Sequence, residues 1–357
     1  MALEDQPDKI IAERMLWIYP PILFIVGVVG NCLFVMVLMR SSSRRTSISL
    51  LLTLLACSDT LILTFNVLKK WLAKFLDTDL RATSNIYCKV DAFLTYFLLQ
   101  LSPWILVLVT VERTYSILYP HKVTNKFTRK RILVAFCLTC LFLVAMNSHI
   151  FFVVHLSSYG IEPICIVQEQ HMDFFFRIWP WIDMCILFFI PVCFMLIGNI
   201  IIIFKLKSSG RFRASSVTRS SSSDSASMRD NMNKHVSSFT KTTVLLNTCF
   251  TLLELPSVVF GIGQPYWYPR ETATEAKQAQ LTLISTCAYM AMYTYNAINF
   301  VLYMFCGSKL RNEFLRMVGM QTKRFMFTVN DTSGSSKTKS TNRGSQISNN
   351  GSDSNSV

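Results

Sequence analysis

Seven runs of mostly apolar residues, each long enough to cross a bilayer, constrain this chain more than any other feature. They lie at roughly 15–39, 48–72, 86–112, 132–154, 179–204, 243–264 and 280–305. A helix of about 20 apolar residues crosses the hydrocarbon of a membrane, and blocks this long are rare in soluble helical bundles. The sixth and seventh runs are the weakest, because they contain Glu254, Asn296 and Asn299. The expected fold is an all-α membrane protein, a seven-transmembrane helix bundle.

Lysine and arginine orient the bundle, since short loops rich in them stay in the cytoplasm. Arg40, Arg44 and Arg45 follow the first run, and Lys122, Lys126, Arg129, Lys130 and Arg131 follow the third. Lys205, Lys207, Arg211, Arg213 and Arg219 follow the fifth. No Lys or Arg lies between Ile132 and Phe176, a stretch that holds Glu162, Glu169 and Asp173. The N-terminus is therefore expected outside and the C-terminus inside, in a multi-pass protein of the plasma membrane. Lys69, Lys70, Lys74 and Arg81 dissent, falling on the outer side. The net charge of +14 resides mostly in the inner loops, beside anionic lipid, and is not read as nucleic-acid binding.

The first fourteen residues are charged and polar, so an extracellular N-terminus is expected over 1–14, with the first run as an uncleaved anchor. The membrane domain then covers 15–305, an amphipathic cytoplasmic helix 306–319, and a disordered tail 320–357. A Ser-rich inner loop over about 206–238, with Ser220 to Ser223 in a row, is likewise expected to be disordered. Loop and tail offer many hydroxyls to kinases, and the bare alternative is a solvated linker. Asn330-Asp331-Thr332 and Asn350-Gly351-Ser352 match the glycosylation pattern but fall inside the cell. Of eleven cysteines, only Cys88 and Cys165 fall on the outer, oxidising side, which makes them the expected disulfide pair. No zinc-binding spacing appears.

Several polar residues sit inside or at the edges of these runs, where they are expensive. Glu112-Arg113 ends the third run, and the glutamate can hold the arginine in a local ion pair. Asp59 lies within the second run and must be paired, protonated or bound to a cation. Glu254 lies within the sixth, as a pocket floor, a protonatable lock, or a neutral acid bonded to a neighbouring helix. Pro191 and Pro256 each remove a helix hydrogen bond and permit kinks about which helices pivot, although such kinks also occur without switching.

Read in order, the runs resemble the rhodopsin-like (class A) G-protein-coupled receptors. The residues that carry the resemblance are Gly30-Asn31, then Leu55-Ala56-Cys57-Ser58-Asp59, then Cys88 through Glu112-Arg113. Pro191, Phe250 and Pro256 follow, then Asn299-Phe300-Val301-Leu302-Tyr303, and Gly307 to Phe314 as the short amphipathic helix. The resemblance covers about 15–319. It implies coupling to a heterotrimeric G protein through Glu112, Arg113, Pro256, Asn299 and Tyr303. It also implies a polar core of Asn31, Asp59, Ser102 and Asn299, where the family holds a sodium ion; simple hydrogen bonding of Asp59 to Asn31 and Asn299 is the alternative. Receptor kinases and arrestin would act at the Ser/Thr-rich loop and tail. Thr114, Asn199, Glu254, Phe300 and Pro103 depart from the family pattern, as do Tyr295-Asn296 and a fourth run without tryptophan.

Two ligand classes are disfavoured. Opsins need a lysine where Tyr293 stands, and amine receptors need a carboxylate where Thr95 stands, with Asp91 one turn higher. An extracellular peptide is the expected ligand, in a pocket of Asp91, Thr95, Glu162, Asp183, Glu254 and Tyr293. Tyr96, Phe97, Trp179 and Trp181 supply aromatic walls that equally serve helix packing. An acidic, aromatic cavity suits arginine and phenylalanine side chains. The stretch Ser102 to Arg113 is also similar to invertebrate FMRFamide and myosuppressin receptors, which points to short amidated peptides. A chemosensory receptor for small molecules on the same fold is the alternative. A seven-span transporter is a further one, though no internal repeat supports it. No catalytic motif is present, and no enzyme activity or cofactor is expected beyond the sodium ion near Asp59.

Overall fold

The computed structural model describes residues 6–40, 46–120, 122–157, 163–216, 223–267, 274–306 and 308–319. Helix α1 (Pro7–Arg40) begins on a proline and carries Asp8 in its first turn and Arg40 in its last, matching the helix dipole. It starts before the apolar run does, because that run marks burial in lipid and not the limits of helicity. Helix α2 (Ser47–Phe75) starts at Thr46, whose hydroxyl accepts from the Ser49 amide at 3.3 Å. Helix α3 (Asn85–Leu118) starts at Ser84, which accepts from the Tyr87 amide at 3.1 Å. Helix α4 (Arg129–Asn147) starts at Thr128, which accepts from the Arg131 amide at 3.4 Å.

Helix α5 (179–216) contains a π-helical turn at Cys185–Phe189. Helix α6 (Ser223–Trp267) carries Pro256, and α7 (Glu275–Cys306) and α8 (Ser308–Met317) follow. Helical backbone thus reaches Ser216 and resumes at Ser223, inside the segment expected to be disordered. Extending a helix already nucleated in the membrane adds one bond per residue without a new nucleation cost. Residues 217–222 and the tail 320–357 lie outside the described residues.

Among the described residues, six helices are long and apolar enough to cross a membrane. The seventh, α7, falls short on composition because it spends its surface on buried polar and tyrosyl groups, among them Tyr293, Tyr295, Asn296, Asn299 and Tyr303. It packs mainly between α1 and α6. At Gly27, α1 approaches α7 so closely that a Cβ would lie 3.0 Å from the Ala297 Cα. Large apolar side chains cover the outside of the bundle: Ile18, Ile22 and Ile25 on α1 and Leu138 and Leu141 on α4 are each more than half exposed. In water such a surface would aggregate, whereas in lipid it is ordinary.

One element escapes an all-helical reading. Strands β1 (Val154–Ser157) and β2 (Ile164–Val167) pair antiparallel after α4, with Leu156 opposite Cys165. Cys165 is bonded to Cys88 at the start of α3, so the hairpin is fixed across one end of the bundle. A cluster of Cys88, Ile150, Val153, Val154 and Val167 packs there. A larger cluster around Phe34, Leu55, Ile105, Leu246, Phe250 and Tyr303 fills the interior toward the other end.

Candidate functional site

Three polar constellations run along the interior. The first lies at the disulfide end, where a cavity of about 720 Å³ opens between α2, α3 and the hairpin. Thr95, Tyr96 and Asp91 of α3, Phe175, and Cys165 to Val167 of β2 form its walls. Tyr96 sits edge-on to Phe175 and Trp179, with ring centres 6.2 and 5.8 Å away. Among the described residues the ionic lining is balanced: Asp77, Asp79 and Asp91 face Lys69, Lys70 and Arg81.

The basic side chains reach the cavity for a local reason. Helix α2 makes a π-helical turn at Leu63–Leu68, immediately before Lys69 and Lys70. A π turn holds an extra residue, and one residue is about 100° of rotation in a 3.6-residue helix, so everything after it is re-aimed. Asp91 forms an ion pair with Lys69. Arg81 grips Asp79 through Nε and Nη2 at 3.0 and 2.9 Å. That grip holds the Asp79 carboxyl below the usual carboxylate range and raises Arg81. Lys70 donates to the Tyr293 hydroxyl at 3.3 Å and lies over the Tyr289 and Tyr293 rings, 5.6 and 5.5 Å from their centres.

Of the expected pocket residues, Asp91 and Thr95 line this cavity, and Tyr293 meets it through Lys70. Asp183 does not line it. Its carboxylate is buried and accepts from Gln100 Nε2 at 2.7 Å, and Gln100 Oε1 accepts from Asn147 at 2.7 Å, tying α3, α4 and α5 together. Glu254 is buried beside a separate void of about 10 Å³, with Ser102, Tyr295 and Asn296. Glu162 lies outside the described residues. Trp181 is 45% exposed and donates to the Tyr266 hydroxyl at 3.3 Å, away from the cavity.

The second constellation surrounds Asp59, which is fully buried. Its two oxygens accept from Ser102 Oγ at 2.8 Å and Asn299 Nδ2 at 2.5 Å. Asn31 donates to the Asn296 carbonyl at 3.2 Å and does not reach Asp59. Each carboxylate oxygen accepts one hydrogen bond, while the Oδ1 atoms of Asn31 and Asn299 are buried without a partner. The arrangement is that of a hydrogen-bonded carboxyl, and no step below runs through an ion.

The third lies at the opposite end. Arg113 and Glu112 are both buried, with Nε 3.6 Å from Oε2, and Glu112 accepts from Ser47 Oγ at 3.2 Å. One turn before Arg113, Thr110 meets Asn247 of α6. Asn247 Nδ2 donates to Thr110 Oγ1 at 3.0 Å and to Asn199 Oδ1 of α5 at 2.9 Å. Tyr303 is buried and stacks on Phe34 with ring centres 4.1 Å apart.

Lys69, Lys70, Arg81, Gln100, Asn147 and Asn247 are the residues that sequence reasoning missed as site or network members. The three basic ones were visible as violations of the inside-positive charge rule. The three amides were visible as polar groups in apolar runs, which find partners on neighbouring helices.

A family model described as 7 transmembrane receptor (rhodopsin family) matches residues 30–303. A gonadotropin-releasing hormone receptor of Octopus vulgaris is 29% identical over 119 residues, 31% of this chain and 27% of that one. A mouse pyroglutamylated RF-amide peptide receptor is 24% identical over 189 residues, 49% of this chain and 41% of that one. Both of these matches span less than half of the relative. A pig growth hormone secretagogue receptor type 1 is 23% identical over 334 residues, 89% of this chain and 85% of that one. These relatives are named for different ligands, so the narrower likeness to FMRFamide and myosuppressin receptors rests on the α3 sequence alone.

Proposed function

We propose that this chain, which belongs to the rhodopsin family of seven-transmembrane receptors and is not an enzyme, is a plasma-membrane receptor for a short peptide. The observation that carries the reading is the 720 Å³ cavity under the disulfide-tethered hairpin, with paired and unpaired charges and aromatic walls. That end faces outward, since a disulfide belongs to an oxidising compartment, and the N-terminus lies on the same side. Arg113 at the inner end is the residue that meets a heterotrimeric G protein. In the arrangement described it is buried beside Glu112 while Asn247 ties α6 to α3 and α5. A peptide that binds better when α6 has moved outward shifts the population toward that state and frees Arg113.

Short amidated peptides carrying Arg and Phe are the ligands to try first. Tyr96 and Phe175 offer stacking faces, and buried Trp179 backs Tyr96. Asp77, which has no ion pair among the described residues, offers a carboxylate at an exposed turn. Receptor kinases and arrestin acting on the hydroxyl-rich loop and tail complete the proposal. The test is a screen of amidated peptides against cells bearing the receptor, read as calcium and cyclic-nucleotide responses. A saturable response to a short peptide supports the reading. Responses confined to non-peptide metabolites would replace it with the chemosensory alternative.

A further inference from the structure

Among the described residues, Lys70 is the cation of the cavity with no carboxylate partner. Lys69 is paired with Asp91, and Arg81 with Asp79. Lys70 has no ion pair among the described residues; its ammonium meets only the Tyr293 hydroxyl and the faces of two tyrosines. Lys70 is exposed on the cavity wall, and its ammonium reaches the hydroxyl of Tyr293, which is 1% exposed. Ring faces and one hydroxyl oxygen stabilise an ammonium only in part. A phenol that accepts from lysine still has its own proton to donate. Lys70 therefore presents an ammonium to the cavity with the Tyr293 hydroxyl beside it, and an ammonium binds a carboxylate or a sulfate by charge-assisted hydrogen bonds.

We propose that Lys70, with the Tyr293 hydroxyl, is a subsite for an anionic group on the ligand. The subsite rests on the cavity being the ligand site; on an amidated peptide the anion is an acidic side chain, and on a free-acid peptide it is the C-terminal carboxylate as well. The pairs Lys69–Asp91 and Arg81–Asp79 then act as fixed walls that leave Lys70 as the recognition charge for an anion and Asp77 as the one for a cation.

A test that needs no known ligand uses two small thiol reagents. Thr95, on the cavity wall, is changed to cysteine in the full chain. Intact cells are then treated with anionic methanethiosulfonate ethylsulfonate or cationic methanethiosulfonate ethyltrimethylammonium. The parent chain without the new cysteine gives the background. With Lys70 present, the ratio of anionic to cationic reaction rates should exceed that in Lys70→Met by about tenfold, the size expected for one nearby charge acting with opposite sign on the two reagents. Lys70→Arg should restore the ratio, which separates charge from a change in folding, and surface staining counts receptors. Equal ratios in Lys70 and Lys70→Met would overturn the subsite. Any peptide that activates the receptor is next compared as free acid, as amide, and with each Asp or Glu made Asn or Gln. Loss of potency on amidation, absent in Lys70→Met, assigns the C-terminus. Loss on neutralising one side chain assigns that residue, and loss on neither overturns the subsite for peptides. Failure to find a peptide agonist would count against the peptide reading while leaving the reagent ratio to decide the subsite.

Discussion

Replacing Asn247 with leucine should make the receptor signal without ligand. Asn247 gives both of its amide protons to other helices, at 3.0 Å to Thr110 and 2.9 Å to Asn199. All three residues are buried, so the lost bonds are not replaced by water. Interhelical hydrogen bonds in membrane bundles average about 0.6 kcal/mol each, and buried bonds in proteins reach roughly 1.5 kcal/mol. Two of them hold α6 inward by about 1 to 3 kcal/mol. They exist only while α6 lies against α3 and α5, so their loss acts wholly on the inward state. At 1.4 kcal/mol per factor of ten, the outward population rises roughly five- to a hundredfold. The assay is ligand-free second-messenger production normalised to surface receptor, with the melting temperature of the purified protein measured alongside. Asn199→Leu should act in the same direction, and the double substitution should add little, because both remove the same bond. Unchanged basal signalling together with unchanged melting would refute the latch.

Three further outcomes follow from the same geometry. Cys165→Ser releases the hairpin from α3 and opens a cross-link spanning 77 residues, which should cost roughly 4 kcal/mol and abolish the response to agonist; melting and dose–response curves check it. Gln100→Leu removes the donor to buried Asp183 and should destabilise the fold by about 1–3 kcal/mol, read as a fall in melting temperature, whereas a neutral result would show that Asp183 does not rely on it. Asp79→Asn should cost less than about 1 kcal/mol, since the pair with Arg81 is partly exposed and salt-screened. Because the folded-state pKa of Asp79 is depressed, its contribution is present above the unfolded value of about 3.9 and disappears as pH falls through the folded one, so the two proteins should melt alike in acid.

The bundle and the disulfide were legible because each depends on one-dimensional information. Apolar length sets the spans, and which side of the membrane a cysteine falls on selects Cys88 and Cys165. The donors to Asp59 were legible in part: Ser102 and Asn299 reach it, while Asn31 turns to a carbonyl of α7 instead. The cavity was harder. Lys69 and Lys70 read as misplaced among the loop charges, and the π turn after Ile62 explains how both reach the cavity. Asp183 and Glu254 read as pocket acids because they sit at the right depth. Depth along a helix does not say which neighbour a side chain meets, and Gln100 claims Asp183. Asn199 read as the loss of a switch partner, yet with Asn247 it forms an interhelical contact that no single helix announces.

The central claim is that ligand binding at the disulfide end is transmitted to a G protein through Arg113. The most direct measurement is agonist-stimulated nucleotide exchange on a heterotrimeric G protein by the wild type and by Arg113→Ala, at matched surface density and with agonist binding measured in parallel. The account predicts that Arg113→Ala binds agonist and loses exchange by at least about tenfold, the scale of one buried charge-assisted contact. Full exchange by Arg113→Ala would contradict it.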